Sequence, residues 1–125
     1  CIRDRTSSYD IEGGPSSATV LYATEKFRRD NPKTYRAFVA ALDQAAKFVT
    51  AHPEQAADIF LRRNGSRIDR ALVLQILKDP KVQFTVVPQN TLKLGTFMQR
   101  SGAIKQAPAK VGDYFFDDPL IAGGS

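Results

Sequence analysis

The residue types that most often carry out chemistry are scarce in this chain. Cys1 is its one cysteine and His52 its one histidine. A reactive thiol needs an electropositive pocket and a partner, and a terminal residue holds neither well. His52 precedes a proline at a predicted helix boundary, where an imidazole more often caps a carbonyl than acts as a base. These counts exclude an internal disulfide and a Cys/His zinc cluster, and we expect no metal and no cofactor.

The best candidate for binding chemistry is the segment Gly13-Gly-Pro-Ser-Ser-Ala-Thr19. Glycines let the backbone approach a ligand closely, and hydroxyls donate directed hydrogen bonds to an anion. The prediction is a ligand-binding site with Ser17 and Thr19 as donors, built from Gly13, Gly14, Ser16, Ser17 and Thr19. A turn followed by edge-strand residues explains the same pattern equally well. The Gly-Lys-Ser of a nucleotide-binding loop is absent.

A second group, Tyr114 with Asp117 and Asp118, resembles a carboxylate pair for acid–base work. Adjacent residues diverge on a regular backbone, whereas catalytic carboxylates usually converge from separate elements. We therefore interpret the two aspartates as part of a solvated tail and predict no catalytic residue. The aromatic run Tyr114-Phe-Phe116 is expected to pin this tail to the body of the protein.

Charge gives little indication of a partner. The 125 residues contain 18 Lys+Arg and 13 Asp+Glu, a net charge of +5. The basic residues are scattered, and acidic neighbours dilute each pair, so we predict a solvated surface and no nucleic-acid partner. A basic helical domain that binds nucleic acid or a protein remains an alternative that rests on charge alone. No apolar run approaches the ~20 residues that a membrane span needs.

The elements that must position these residues are mostly helical. Four helices are predicted: one from Asn31-Pro32, one from His52-Pro53 to Asn64-Gly65, one from Asp69 to Asp79-Pro80, and one from Asn90 to Ser101-Gly102. Each predicted helix begins with a capping residue or with a proline at its first position, and each is followed by a glycine or a proline. In the first helix, apolar residues recur every three or four positions from Tyr35 to Val49, which predicts an amphipathic helix packed on a core.

Three short segments are predicted as strands instead. Cys1 to Ser8 has the β-branched content of a strand end, and Asp10 to Pro15 is a loop. Ser16 to Ala23 passes from small hydroxyl residues into Val20, Leu21 and Tyr22, which favours a buried strand. Val82 to Val87 alternates apolar and polar residues, which favours a half-buried one.

Taken in order, several of these segments resemble one family. They are Val20-Leu-Tyr-Ala-Thr-Glu-Lys-Phe27, Phe38-Val-Ala-Ala-Leu42, Ala51-His-Pro-Glu-Gln-Ala-Ala57, Phe97-Met-Gln-Arg-Ser-Gly-Ala-Ile104 and Asp113-Tyr-Phe-Phe-Asp117. The sequence is similar to the C-terminal part of the substrate-binding proteins of ABC importers for nitrate, sulfonates and taurine. Those proteins share a two-lobed fold with proteins that handle the thiamine pyrimidine. Order and spacing carry the resemblance, because no single motif is diagnostic.

The resemblance implies a fold class and a domain organisation. The fold would be α/β: the helix-rich C-terminal portion of a two-lobed type II periplasmic-binding-protein fold, with a few short strands. Residues 1–23 would form a hinge and crossing-strand segment, and residues 24–125 the helical C-terminal part of lobe one. Because the chain starts at Cys1 rather than Met, we expect it to be a piece of a longer protein. A terminal cysteine also fits a mature lipoprotein, a less favoured interpretation.

The same resemblance implies a function. The protein would be the periplasmic substrate-binding component of an importer, with a small organic or inorganic anion as ligand and ABC permease membrane subunits as partners. It would capture the solute and deliver it without chemistry. The alternative is a pyrimidine-synthase-like enzyme of the same superfamily, which depends on a cysteine-rich motif and an active-site histidine that this chain does not match. Unpaired strand edges would also favour self-association of the chain.

Overall fold

The computed structural model describes residues 7–65 and 67–125. Six α-helices form in these residues and are followed by a 3-10 helix, Val111–Asp113; the α-helices are α1 (Ser8–Glu12), α2 (Glu25–Asp30), α3 (Pro32–Ala51), α4 (Pro53–Asn64), α5 (Arg70–Leu77) and α6 (Thr91–Arg100). The chain divides into two units. The split unit comprises Cys1–Tyr22 and Val87–Ser125, and the helical unit comprises Ala23–Val86.

In the helical unit, local signals set the helix ends. Pro32 and Pro53 occupy the first positions of α3 and α4, where the missing N–H has no partner to lose. Gly65 ends α4 in a left-handed conformation with φ 54°. The Asp69 carboxylate caps α5 by accepting a hydrogen bond from Ala71 N at 3.1 Å. The four predicted helices are confirmed: they are α3, α4 and α5 in this unit and α6 in the split unit. Two shorter helices, α1 and α2, precede them.

The core of the helical unit lies where α4 packs on α5 and is small. Ala56, Ala57 and Val73 are its buried apolar residues. The apolar face predicted for α3 is only partly covered: Val39 and Val49 are half-buried, while Phe38 is 54% exposed. The predicted packing of α3 on a core is therefore only partial, because its neighbours α2 and α4 cover only part of its apolar stripe.

Ion pairs join α4 to α5 at their exposed edges. Arg70 Nε donates to Asp58 Oδ1 at 2.6 Å, and Lys78 Nζ donates to Glu54 Oε1 at 2.6 Å. The hydrogen bond from Lys78 and the charges of Lys78 and Arg70 lower the pKa of Glu54 below its ordinary value. The hydrogen bond from Arg70 lowers the pKa of Asp58 in the same way. Both carboxylates are stabilised as anions in the folded state.

In the split unit, α6 is the longest helix and the C-terminal segment packs on it. Gly95 is buried in α6, and a methyl group there would lie 2.8 Å from Pro108 Cδ and 2.8 Å from the Tyr114 hydroxyl. That hydroxyl donates to Thr91 O at 2.9 Å. Partial burial, and then the charge of Asp113, raise the pKa of Tyr114 and keep it a donor. The prediction that the aromatic run pins the tail is confirmed at Tyr114.

The helix-rich fold is confirmed, but the strands are not. No strand forms in residues 7–65 and 67–125. Of the strand predicted over Cys1 to Ser8, residues 1–6 lie outside the described residues, and Ser8 is the first residue of α1. Ser16 to Ala23 forms no strand: Ser17 N donates to Gln89 O at 3.0 Å, but no ladder continues from this bond, and Tyr22 is 97% exposed. Val82 to Val87 likewise forms no ladder. Alternation favours a half-buried surface, yet a strand also needs a continuous ladder of hydrogen bonds to a neighbouring backbone, and neither segment forms one.

The predicted loop from Asp10 to Pro15 is wrong at its beginning, because α1 runs through Glu12. Ser7 Oγ accepts from Asp10 N at 3.3 Å and caps the helix start. Gly13, with φ 73°, supplies the left-handed stop that only glycine adopts at little cost. Ser7 and Gly13 thus define the two ends of α1, which is little more than one helical turn long. No described helix combines the length and apolar character that a membrane crossing requires.

Candidate functional site

The candidate site begins at the loop that follows α1. After the left-handed Gly13, Gly14 has φ 147° and is buried, and its N–H donates to Tyr9 O at 2.9 Å. Pro15 follows and turns the chain toward Ser16 and Ser17. The two glycines therefore serve to make the bend, which sets the position of the serines.

Two backbone segments then meet side by side. Ser17 N donates to Gln89 O at 3.0 Å, and Gln89 N donates to Ser17 Oγ at 3.0 Å. Asn90 Nδ2 donates to Pro15 O at 2.7 Å. These three bonds span more than 70 residues of sequence and join the Gly-Gly-Pro loop to the residues that precede α6.

The start of α6 is itself held by the C-terminal residue. Thr91 N donates to Ser125 O at 2.6 Å, and Thr91 Oγ1 donates to the same oxygen at 2.8 Å. Ser125 N returns a bond to Pro88 O at 3.0 Å. Ser125 thus supplies the acceptor that the Asn90 side chain, turned toward Pro15, does not supply to the helix.

A pocket of about 210 Å³ opens between these segments, within the split unit. Seven of its nine lining residues have polar side chains: Ser8, Glu12, Ser16, Ser17, Gln89, Asn90 and Thr91. Ala18 and Leu94 complete the lining, and apolar atoms supply more of the pocket surface than polar atoms do. The volume suits a small polar solute, which hydrogen bonds would orient.

Glu12 is the one charged residue in this lining as the structure describes it. Lys93 lies close by, but its Nζ donates to the main-chain oxygen of Glu12 at 2.9 Å rather than to the carboxylate. At an effective dielectric constant of about 20, like charges 4 Å apart repel by about 4 kcal/mol. Glu12 therefore disfavours a bare anion at its end of the pocket.

The structure brings together only some of the predicted site residues. Ser16 and Ser17 line the pocket, whereas Thr19 is exposed and outside the lining. Gly13 and Gly14 shape the loop without lining the pocket. Binding by these residues stays a prediction, because no ligand contact is observed.

Sequence reasoning missed Glu12, Asn90 and Thr91 as lining residues. Asn90 was expected only as a helix cap; it does occupy the cap position, but with φ 53° and no capping hydrogen bond. A signal was present in the cluster of polar residues Gln89-Asn-Thr91 after a proline. The sequence alone does not show which distant loop this cluster faces.

The remaining chemistry-bearing residues lie elsewhere. His52 ends α3, and its ring centroid is 5.1 Å from that of Phe48. Cys1 falls outside the described residues. Asp118 is buried rather than solvated, which corrects the expected solvated tail; its carboxylate accepts from Leu120 N at 3.0 Å and stabilises a turn. Among the described residues no group of three His, Cys, Asp or Glu side chains could hold a metal ion.

The lining residues between Ser8 and Ala18 lie in a segment that matches a known protein family. Residues 8–56 match the NMT1/THI5 like family model. The match takes in α1, the Gly-Gly-Pro loop, α2, α3 and the beginning of α4, which is less than half of the chain. Over this NMT1/THI5 like segment, the resemblance to the substrate-binding proteins of nitrate, sulfonate and taurine importers is confirmed. Neither the curated proteins nor the solved structures gave a match to the chain.

Proposed function

We propose that this chain forms part of the substrate-binding component of an ABC importer and binds a small solute of the sulfonate, taurine or nitrate type. In this proposal the solute is captured without chemistry and passed to the permease subunits, and the component works in the periplasm. The observation that carries it is that Ser16 and Ser17, inside the NMT1/THI5 like segment, line a small pocket whose lining residues are mostly polar.

The hydroxyls of these serines suit the proposed role. Ser17 Oγ accepts from Gln89 N, so its own proton remains for a ligand oxygen. Hydrogen bonds in which one partner is charged are stronger than neutral ones, which favours an anionic oxygen as acceptor. Because a two-lobed receptor closes both lobes on its ligand, we expect this chain alone to bind in the millimolar range.

NMR titration of the amide signals with taurine, ethanesulfonate and nitrate tests the proposal. Shifts should concentrate at Ser16, Ser17 and Thr91. A Ser17→Ala variant removes the donor and should weaken binding about 10-fold or more, since a hydrogen bond to a charged group contributes about 1.5 kcal/mol or more. Thr34→Ala, on the exposed side of α3, is the matched control. An absence of shifts with all three solutes at millimolar concentration would sink the proposal.

A pyrimidine-synthase-like enzyme is the second candidate, because the family description also names THI5. The two functions differ in the fate of the bound molecule. Mass spectrometry after prolonged incubation should recover a solute unchanged, and His52→Ala should leave binding intact. Conversion of an added precursor that is lost in His52→Ala would favour the enzyme.

A further inference from the structure

The polar groups of the pocket differ in which hydrogen-bonding roles they can take. Thr91 Oγ1 already donates to Ser125 O, so toward a ligand its oxygen can only accept. An ionised Glu12 carboxylate also only accepts. Ser17 Oγ, in contrast, holds the Gln89 N–H and has a proton to donate. The lining therefore offers acceptors as well as a donor.

Glu12 lacks a charge partner in the pocket. Within residues 7–65 and 67–125 no cation forms an ion pair with its carboxylate, and the Lys93 ammonium is bonded to the Glu12 main chain. Glu12 is half-buried and lines a small cavity, and a carboxylate in that position is best satisfied by a positively charged donor from the ligand. A nitrate ion or a simple alkanesulfonate supplies no such group.

We infer that the pocket selects solutes that carry a protonated amine, bound by Glu12, together with an oxygen acceptor bound by Ser17. This rests on the proposed function and narrows its ligand class from anions in general to small zwitterions. Glu12 is then the residue that determines specificity. Thr91 Oγ1 supplies a further acceptor for an ammonium proton.

Three two-carbon probes separate the contributions. Taurine has the ammonium and the sulfonate, ethanesulfonate lacks the ammonium, and ethylamine lacks the sulfonate. NMR titration of the full chain should show taurine binding at least ~10-fold more tightly than ethanesulfonate, because a charge-assisted hydrogen bond is gained and a like-charge contact is compensated. Ethylamine should shift the Glu12 and Gly13 amides with little effect at Ser17.

The variant Glu12→Gln keeps the size of the side chain and removes its charge. It should reduce the taurine preference to about 2-fold or less, by weakening taurine while leaving ethanesulfonate equal or stronger. Glu25→Gln, in α2 of the helical unit, should keep the wild-type preference. The comparison of probes on the wild-type chain does not depend on the variant folding.

Each outcome decides between the two proposals. Equal binding of taurine and ethanesulfonate by the wild type would overturn the amine inference and leave the proposed function standing. A taurine preference that survives in Glu12→Gln would overturn the role of Glu12. Failure of every probe to bind would overturn both the inference and the proposed function.

Discussion

At the scale of single residues, Asn90 connects the two walls of the pocket. Its backbone has φ 53°, a left-handed conformation that costs a residue with a Cβ roughly 1–2 kcal/mol, although asparagine tolerates it best. The hydrogen bond from its side-chain Nδ2 to Pro15 O, at 2.7 Å, offsets this conformational cost. A single residue thus bends the chain into α6 and ties the Gly-Gly-Pro loop to it.

Substitution of Asn90 separates these two contributions. Asn90→Ala should lower the free energy of unfolding by about 2 kcal/mol, because both the hydrogen bond and the tolerance of positive φ are lost. Asn90→Gly loses the bond but adopts the conformation freely, so it should cost about 1 kcal/mol less than Asn90→Ala. Urea unfolding of both variants measures the difference. Equal stability of Ala and Gly variants would show that the backbone conformation carries no strain.

At the scale of elements, the close contact between α6 and the C-terminal segment depends on Gly95. Glycine is a poor helix former, costing about 1 kcal/mol relative to alanine, so the propensity of α6 alone favours replacing it. The available space does not allow this replacement, because an added methyl group would lie 2.8 Å from Pro108 Cδ and 2.8 Å from the Tyr114 hydroxyl. Packing therefore decides which residue this position accepts.

Gly95→Ala should accordingly destabilise the split unit. Overpacking costs about 1–3 kcal/mol, which exceeds the propensity gain. Hydrogen exchange at Thr91 and Ser17 should speed up, since the Tyr114 hydroxyl is displaced from Thr91 O. Gly112→Ala is the control, because a methyl group there meets nothing within 4 Å. A Gly95→Ala variant more stable than the wild type would contradict this packing.

The ion pairs between α4 and α5 predict a pH dependence of the helical unit. The folded-state pKa values of Glu54 and Asp58 are lowered by Lys78 and Arg70. Carboxylates of this kind contribute stability above their unfolded pKa values, and the contribution is lost as the pH falls through their folded ones. Thermal stability should therefore decrease as the pH drops below about 4.

Arg70→Gln tests this contribution, since Arg70 contacts both carboxylates. The variant should melt at a lower temperature than the wild type at pH 7, and the difference should shrink progressively as the pH falls below about 4. Arg63→Gln, which removes an exposed cation in the last turn of α4, should follow the wild-type profile. Parallel pH profiles for wild type and Arg70→Gln would show that the exposed pairs contribute nothing, as many do.

At the scale of the whole molecule, much apolar surface remains uncovered. Val20, Leu21 and Tyr22 are 57%, 61% and 97% exposed and adjacent in sequence. Contiguous exposed apolar residues mark surfaces that associate with other surfaces. Self-association was expected from strand edges; since no strand forms in the described residues, these side chains are the better physical basis for it.

Sedimentation velocity over a range of concentrations measures this property. The chain should associate as its concentration rises, and Leu21→Ser combined with Tyr22→Ser should shift the equilibrium toward monomer. A paired substitution of exposed polar residues on α3, Lys33→Ser with Thr34→Ser, should leave association unchanged. A wild-type chain that stays monomeric at high concentration would refute the prediction.

Local chemistry in the sequence determined most of the helices. Prolines at Pro32 and Pro53, the Asp69 cap and the glycine at Gly65 act within one turn of their own positions, so their effect can be read without knowing the fold. The same locality made Gly13 to Thr19 a binding candidate, since the roles of glycines and hydroxyls follow from their residue types. The predicted organisation into residues 1–23 and 24–125 stays a prediction.

The contacts that these segments make with distant parts of the chain were decided by the tertiary structure alone. Strand pairing is a relation between distant backbones, so the alternation of Val82 to Val87 predicted a surface preference but not a ladder. The pocket depends in the same way on Ser17 meeting Gln89 across 72 residues and on Asn90 reaching Pro15. Glu12 looked like an ordinary surface carboxylate in the sequence, and only the fold placed it in a cavity, where its charge determines which solutes the pocket can accept.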